Sequence, residues 1–347
     1  MHTENPIINR LTAADFVPAT DEEKQSAVQM RESVGFWKDG FRRLKRNPVS
    51  MGALAILILM ALLAYVVPYF YPYNYYDQMR GSENLGPMQY SADEMVKKEN
   101  GEKLFPHILG TDNLGRDYSI RVMVGARISM TVGIVAAVLI LFIGSLYGTV
   151  SSFLGGWVDL IMMRVVDIIY SIPTLLIVIL LMVTLRFPLS ALAEKPGFGW
   201  INTLGVGLIC IFITLGLLDW PDLARQLRAK ILVVKEEEFV TAARALGGKG
   251  GRISTKHILP NCMGILIIMT SFQIPNAIFT ETFLSFIGLG VSAPMPSLGS
   301  LCTYALDGVI SYPLRLVFPA IAISLIILAF NLLGDGFRDA FDPKLKG

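Results

Sequence analysis

Apolar and polar positions alternate along the chain in long blocks. Six blocks are long and apolar enough to cross a bilayer as helices, which takes about 20 residues. They are 50–69, 129–153, 160–185, 201–218, 263–286 and 316–333. The pattern predicts an all-α integral membrane protein with six transmembrane helices. Residues 1–47 form a polar tail, 48–70 the first span, 71–118 a long loop, and 119–347 a core holding the remaining spans. Residues 1–36 carry little periodicity, and mobility is expected there. Phe36, Trp37, Phe41 and Leu44 gather on one side of a short helix over 37–46, with basic residues between them. That suits either an amphipathic surface helix or a plain juxtamembrane anchor. The first span lacks a small-residue cleavage site and reads as an uncleaved anchor. The aromatics between Val67 and Tyr73 fall where an interfacial belt is expected.

Flanking Lys and Arg set the orientation. Arg42, Arg43, Lys45 and Arg46 precede the first span and put the N-terminus in the cytoplasm. The loop between spans four and five is also basic, carrying Arg225, Arg228, Lys230, Lys235, Arg244, Lys249, Arg252 and Lys256, and falls on the same side. Segment 71–118 has eight acidic residues against five basic ones and is expected outside. Within it, Asp112 is placed to cap a short helix toward Arg121, and Arg116, Arg121 and Arg127 to lie near the outer lipid headgroups. An even number of spans returns the C-terminus, with Lys344 and Lys346, to the cytoplasm.

The stretch 235–261 stands out as the longest charged interval in an otherwise apolar second half. Phe239, Ala242, Ala243 and Leu246 recur at i, i+3, i+4 and i+7, one face of a helix. That face is small and smooth, suited to lying in a groove of another protein. Glu236, Glu237 and Glu238 crowd the start, where a helix favours negative charge. Gly247 and Gly248 close it. A second helical turn is predicted over 252–258, with Pro260 resetting the backbone. Periodicity alone leaves a solvated connection and a docking element equally open.

Polar residues inside apolar blocks carry a functional presumption. Gln273, Asn276, Thr280 and Glu281 fall at three- to four-residue spacing in span five, a face that could line a translocation path, contact a second membrane subunit, or only bond to a neighbouring helix. Asp159, Arg164 and Asp167, at one end of span three, are expected to pair as ions, and Pro173 to kink that helix with help from Ser171. Gly144 and Gly148 are placed for close helix packing.

Composition changes this picture little. The chain is 53% hydrophobic and 17% charged with a net charge of +2, which favours membrane over nucleic acid. The three cysteines and three histidines are scattered and suggest neither disulfides nor a metal site. Gly247-Gly248-Lys249-Gly250-Gly251 is not a phosphate loop, because Gly follows the Lys and no strand precedes it. No nucleophile elbow or dinucleotide fingerprint occurs.

Thr241-Ala242-Ala243, Gly247 and Ile258-Leu259-Pro260 resemble the EAA loop of ABC-importer permeases. Thr241 stands where that motif usually has Glu, and Glu238 lies nearby. The segment from His107 through Gly110-Thr111-Asp112 to Gly115-Arg116-Asp117 is similar to the stretch before span two in the C-type permeases of the peptide/nickel importer family. The likeness continues at Gly125–Ser129, Gly155-Gly156, Ser171-Ile172-Pro173, Ser285–Gly290 and Asn331–Gly336, and covers about residues 40 to 345.

The resemblance implies the type I ABC-importer permease fold and a non-catalytic subunit that binds no cofactor itself. Its expected partners are a sister permease of the B type, two ATP-binding subunits holding ATP and Mg, an external substrate-binding protein and the lipid bilayer. Glu238, Phe239, Ala242, Ala243, Leu246, Gly247 and Pro260 would couple to an ATPase subunit, and di- or oligopeptides or nickel complexes would be cargo. The alternative is a stand-alone channel or proton-driven carrier. It needs titratable groups within the spans, for which Glu281 and Asp167 are the candidates.

Overall fold

The computed structural model describes residues 35–102, 104–291 and 293–341. The tail to residue 34, Lys344 and Lys346 lie outside the described residues. The chain divides into two units, 1–39 and 40–347. Of the first, the described residues begin helix α1 (Phe36–Arg46), and the Phe36 and Trp37 rings meet edge-on at 5.5 Å. The second unit holds everything else.

Among the described residues, six helical rods are long and apolar enough to cross a membrane: Pro48–Tyr69, Tyr118–Leu154, Thr174–Ala193, Val206–Lys235, Gly250–Phe286 and Leu314–Phe341. The first is α2 (Pro48–Ala61), extended to Tyr69 by a π turn and a 3-10 turn. Asn47 caps it, its side-chain oxygen accepting from the Val49 and Ser50 amides at 3.1 and 3.3 Å. A short helix α3 (Ala92–Glu99) follows, closed by a capping box between Ser91 and Glu94.

Helix α4 (Tyr118–Leu154) is the hub. At 37 residues it is about 55 Å long, well beyond a hydrocarbon core of about 30 Å. Its glycines let other helices approach its backbone. A Cβ on Gly133 would lie 2.5 Å from Ile278, and one on Gly148 would lie 2.5 Å from the Ala224 carbonyl. Gly144 and Gly148 thus seat the helix bearing Leu223 and Ala224, as their spacing predicts.

The chain then runs through α5 (Gly156–Ser171), α6 (Thr174–Ala193), α7 (Trp200–Leu204), α8 (Val206–Leu218), α9 (Trp220–Lys235) and α10 (Glu238–Ala245). It ends with α11 (Gly250–Ile253), α12 (Leu259–Phe286), α13 (Leu298–Leu306) and α14 (Leu314–Phe341).

Three predicted elements are redrawn. The span expected at 160–185 is two helices, because Pro173 has no N–H to donate and holds Ile172 in an extended conformation. The membrane-length piece is α6, and Ser171 Oγ bonds back to the Asp167 carbonyl at 2.8 Å. The span expected at 201–218 does not stop at Leu218. It passes Asp219 and continues as α9 to Lys235, giving a rod of 30 residues. Pro260 does not reset the backbone. A π turn (Ser254–Ile258) joins α11 to α12, and the Leu259 amide reaches back to the Ser254 carbonyl. That wider turn accommodates a residue that cannot donate, so the helix runs on.

Segment 71–117 is cross-braced by buried polar groups. His107 is fully buried, with Nδ1 2.6 Å from Asp117 Oδ2 and Nε2 3.3 Å from Glu94 Oε1, and its ring stacks on Tyr73 at 4.5 Å. Asp117, not Asp112, caps α4, accepting from the Ile120 amide at 3.0 Å. Asp112 instead folds its own turn, accepting from the Leu114 and Arg116 amides and from Arg116 Nε at 2.9, 3.0 and 2.7 Å. The expectation that Arg121 faces the lipid headgroups does not hold. Arg116 turns onto Asp112, and Arg121 is 2% exposed, 3.5 Å from Asp112 and bonded to the Tyr75 carbonyl at 3.0 Å. A buried cation takes the partners that offset its desolvation.

Candidate functional site: a projecting loop and a polar cavity

Two features bear on function: the connection between α9 and α12, and a cavity where α5, α9 and α12 meet. They are built from opposite kinds of side chain.

The connection begins where α9 ends at Lys235, whose ammonium donates to the Ser152 carbonyl and lies 4.8 Å from the centre of the Phe153 ring. This ties its base to the end of α4. Deeper along α9, Arg228 forms a two-pronged pair with Asp159 of α5, and Ser151 donates to the same carboxylate. Arg228 is the first cause holding the Asp159 carboxyl below its ordinary value. Arg225 pairs with Asp167 at 2.8 Å, and Arg164 approaches Asp167 at 3.5 Å. The predicted ion pairing of 159, 164 and 167 therefore reaches mainly across to α9, which the sequence reading placed outside the span.

Helix α10 follows at once, with Glu237 extended at its N-cap and Glu238 in its first turn. Gly247 ends it in the left-handed region, φ +80°, where its amide bonds to the Arg244 carbonyl at 2.9 Å. The Gly248 amide bonds to the Ala243 carbonyl at 3.0 Å. The face predicted to dock is split. Val240 is fully buried with Ala243 partly so, packed with Leu227, Ile231, Val234, Ile253 and Ile258. Phe239, Ala242 and Leu246 point away, with Leu246 89% exposed, and Glu238, Thr241 and Gly247 are exposed as well. Pro260, by contrast, belongs to the continuous α12 rod. So α10 is pinned by one edge and presents an apolar crest on the other.

The polar cavity, about 270 Å³, opens beside the break at Pro173. Gln273, Asn276 and Thr280 line it from α12, Asp219 and Asp222 from the start of α9, and Tyr170 from the end of α5. The shared helical face of the first three is as the spacing predicts. Glu281 is not with them. It is fully buried against α4, accepting from Ser129 Oγ and Ser285 Oγ at 2.7 Å each. One residue beyond Thr280 turns the side chain about 100°, from the cavity into the packing between α4 and α12. Sequence reasoning missed Asp219, Asp222 and Tyr170 as lining. The available signal was the Trp220-Pro221 helix start after Asp219, which opens a new helix inside a rod that keeps going.

Comparison with known proteins agrees with this architecture. A family model, the binding-protein-dependent transport system inner membrane component, matches residues 131–347. A second, the N-terminal TM domain of oligopeptide transport permease C, matches residues 35–87. The chain is 40% identical over 331 residues to an oligopeptide transport system permease protein of Bacillus subtilis, covering 95% of this chain and 97% of that one. It is 39% identical over 332 residues to a dipeptide transport system permease protein of the same organism, covering 95% and 93%. It is 35% identical over 331 residues to an oligopeptide transport system permease protein of Haemophilus influenzae, covering 95% of each. The separated motifs around Asp112, Ala243 and Asp335 thus lie within one continuous similarity, and the chain belongs to the binding-protein-dependent transport system inner membrane components, in their oligopeptide-permease C branch.

Proposed function

We propose that this chain is one of two permease subunits in a peptide importer powered by ATP hydrolysis on separate subunits. Two of the relatives are named for oligopeptide transport and one for dipeptide transport, which supports a peptide cargo. The observation that carries the coupling role is the Phe239–Leu246 crest, an apolar strip on a helix whose buried edge packs through Val240 and Ala243. Water does not favour such a strip, and a groove on an ATP-binding subunit would cover it. Loops that follow one and four crossings emerge on opposite faces. The basic 236–258 loop is assigned to the cytoplasm, and segment 71–117 to the exterior, where a substrate-binding protein would dock.

In this reading, movement of the ATP-binding subunits pushes α10. Because Lys235 and Arg228 tie α9 to the ends of α4 and α5, the push is passed to the helices around the polar cavity. The path between this chain and a B-type sister then switches access. The test is purification in mild detergent with mass spectrometry of the co-purifying chains, followed by reconstitution. Two ATPase subunits, a sister permease and ATP-dependent peptide uptake are expected. Uphill transport by this chain alone would overturn the reading.

A further inference from the structure

The cavity beside Pro173 holds two observations that packing does not explain. Gln273 is only 8% exposed, lines the cavity, and its carboxamide has no hydrogen-bond partner among the described residues. Asp219 lines the same space and its carboxylate likewise has no hydrogen bond or ion pair among the described residues. Its neighbour differs. Asp222 accepts from Gln226 Nε2 at 3.2 Å, and Arg225 is committed to Asp167. A carboxylate and an amide left open at mid-length of membrane-spanning rods are the groups expected to meet a transient ligand, since a permanent partner would close the path.

The chemistry of the lining selects the ligand. It carries two carboxylates and no Lys, Arg or His. An anion is repelled, and a cation is attracted. A primary ammonium has three donors and no acceptor. Asp219, the Gln273 carbonyl oxygen and the Asn276 carbonyl oxygen offer three acceptors around one space. The Tyr170 ring, with the Arg225 guanidinium 4.6 Å from its centre, forms a wall beside them. At about 270 Å³ the cavity is below the usual 300–1,000 Å³ of whole-ligand pockets, so it suits one end of a peptide and not all of it.

We infer that this cavity is a transit subsite for a primary ammonium group, chiefly the protonated amino terminus of the passing peptide, with Asp219 as the charge partner and Gln273 and Asn276 as the orienting acceptors. This rests on the peptide-importer reading and adds to it which end of the cargo the C-type subunit holds. Lysine side chains present the same group, and the experiment separates the two sources.

The assembled membrane complex, without its external binding protein, is made with Thr280→Cys, a lining position outside the three proposed acceptors, and the rate of maleimide labelling at that position is measured. Tri-alanine is expected to slow labelling. N-acetyl-tri-alanine, which lacks the ammonium, is expected not to. N-acetyl-Ala-Lys-Ala slows labelling if the subsite also takes side-chain ammonium, and leaves it unchanged if it takes the terminus alone; either result supports the site. In the Asp219→Asn background the same protection should need about tenfold more tri-alanine, the loss of one charge-assisted hydrogen bond. Asp219→Glu should restore most of it, which controls for a folding defect. Equal protection by free and acetylated tri-alanine, or protection unchanged by Asp219→Asn, overturns the subsite. Peptide uptake by the wild-type complex, with ATP and the external binding protein supplied, separates the two claims: uptake without protection sinks only the subsite, whereas no uptake of any peptide sinks the importer reading beneath it.

Discussion

Segment 71–117 and loop 236–258 are both polar connections between membrane-spanning helices, yet they are held in opposite ways. The first is closed on itself: His107 sits between Asp117 and Glu94, and Arg121 lies beneath Asp112 and donates to the Tyr75 carbonyl. The second has no comparable buried ion pair among the described residues. It hangs on Val240, Ile253 and Ile258, and it turns Leu246 and Phe239 outward. A connection that carries its own polar core can keep its shape while other molecules come and go. One that leaves apolar side chains in water is complete only when something covers them.

The largest effect is expected where the closed segment is opened. Asp112→Ala strips the carboxylate from buried Arg121 and from the turn at Arg116, and breaking a buried pair in this way costs about 3–5 kcal/mol. Thermal unfolding in detergent should fall sharply and the segment should become protease-sensitive. Replacing Arg121 by Leu in the same chain should recover part of the loss, and an unchanged melting curve for Asp112→Ala would break the contrast.

In the loop, Val240→Ala should cost about 2 kcal/mol, because it removes the anchor that is fully buried. The damage should stay local. Amide exchange is expected to rise over 238–245 while α4 and segment 71–117 keep their protection.

A smaller, pH-dependent effect is expected at the loop's base. The Asp159 carboxyl is held below its ordinary value of 3.8, first by the hydrogen bond from Arg228. A depressed carboxylate contributes stability that is present above its ordinary value and disappears as pH falls through the lower folded one. Acid titration should therefore loosen α5 from α9 below about pH 4. Asp159→Asn should abolish that step, and an identical acid transition in both proteins would remove Asp159 from the account.

Much of the fold was legible in the sequence because bilayer spans announce themselves by length and hydropathy, and these six did. The close-packed Gly144 and Gly148 and the ends of α10 were legible for local reasons, since one residue type fixes each, whereas Pro173 was read as a kink and is a full break. What was not legible depended on distant partners. Nothing near Arg121 in the sequence says that it will be buried on the Tyr75 carbonyl, and nothing near Glu281 says that Ser129 will claim it. Helix α9 was hidden for a different reason. Charge begins at Asp219, so hydropathy ended the span there, although the buried face of Leu223, Leu227 and Ile231 continues in helical register. The cavity was half visible, since Gln273, Asn276 and Thr280 share a face, but its acidic wall lay on the helix that hydropathy had cut off.

The account turns on whether a separate protein grips the crest of α10. The three native cysteines, Cys210, Cys262 and Cys302, are buried, so a cysteine placed at Leu246 is a clean probe. Leu246→Cys should change the stability of the chain by no more than about 0.5 kcal/mol. In the assembled complex it should cross-link to an ATP-binding subunit, with a yield that changes when ATP is added. Free labelling of the introduced thiol by a membrane-impermeant reagent from outside intact cells, or the absence of any cross-link in an assembled complex, would contradict the claim.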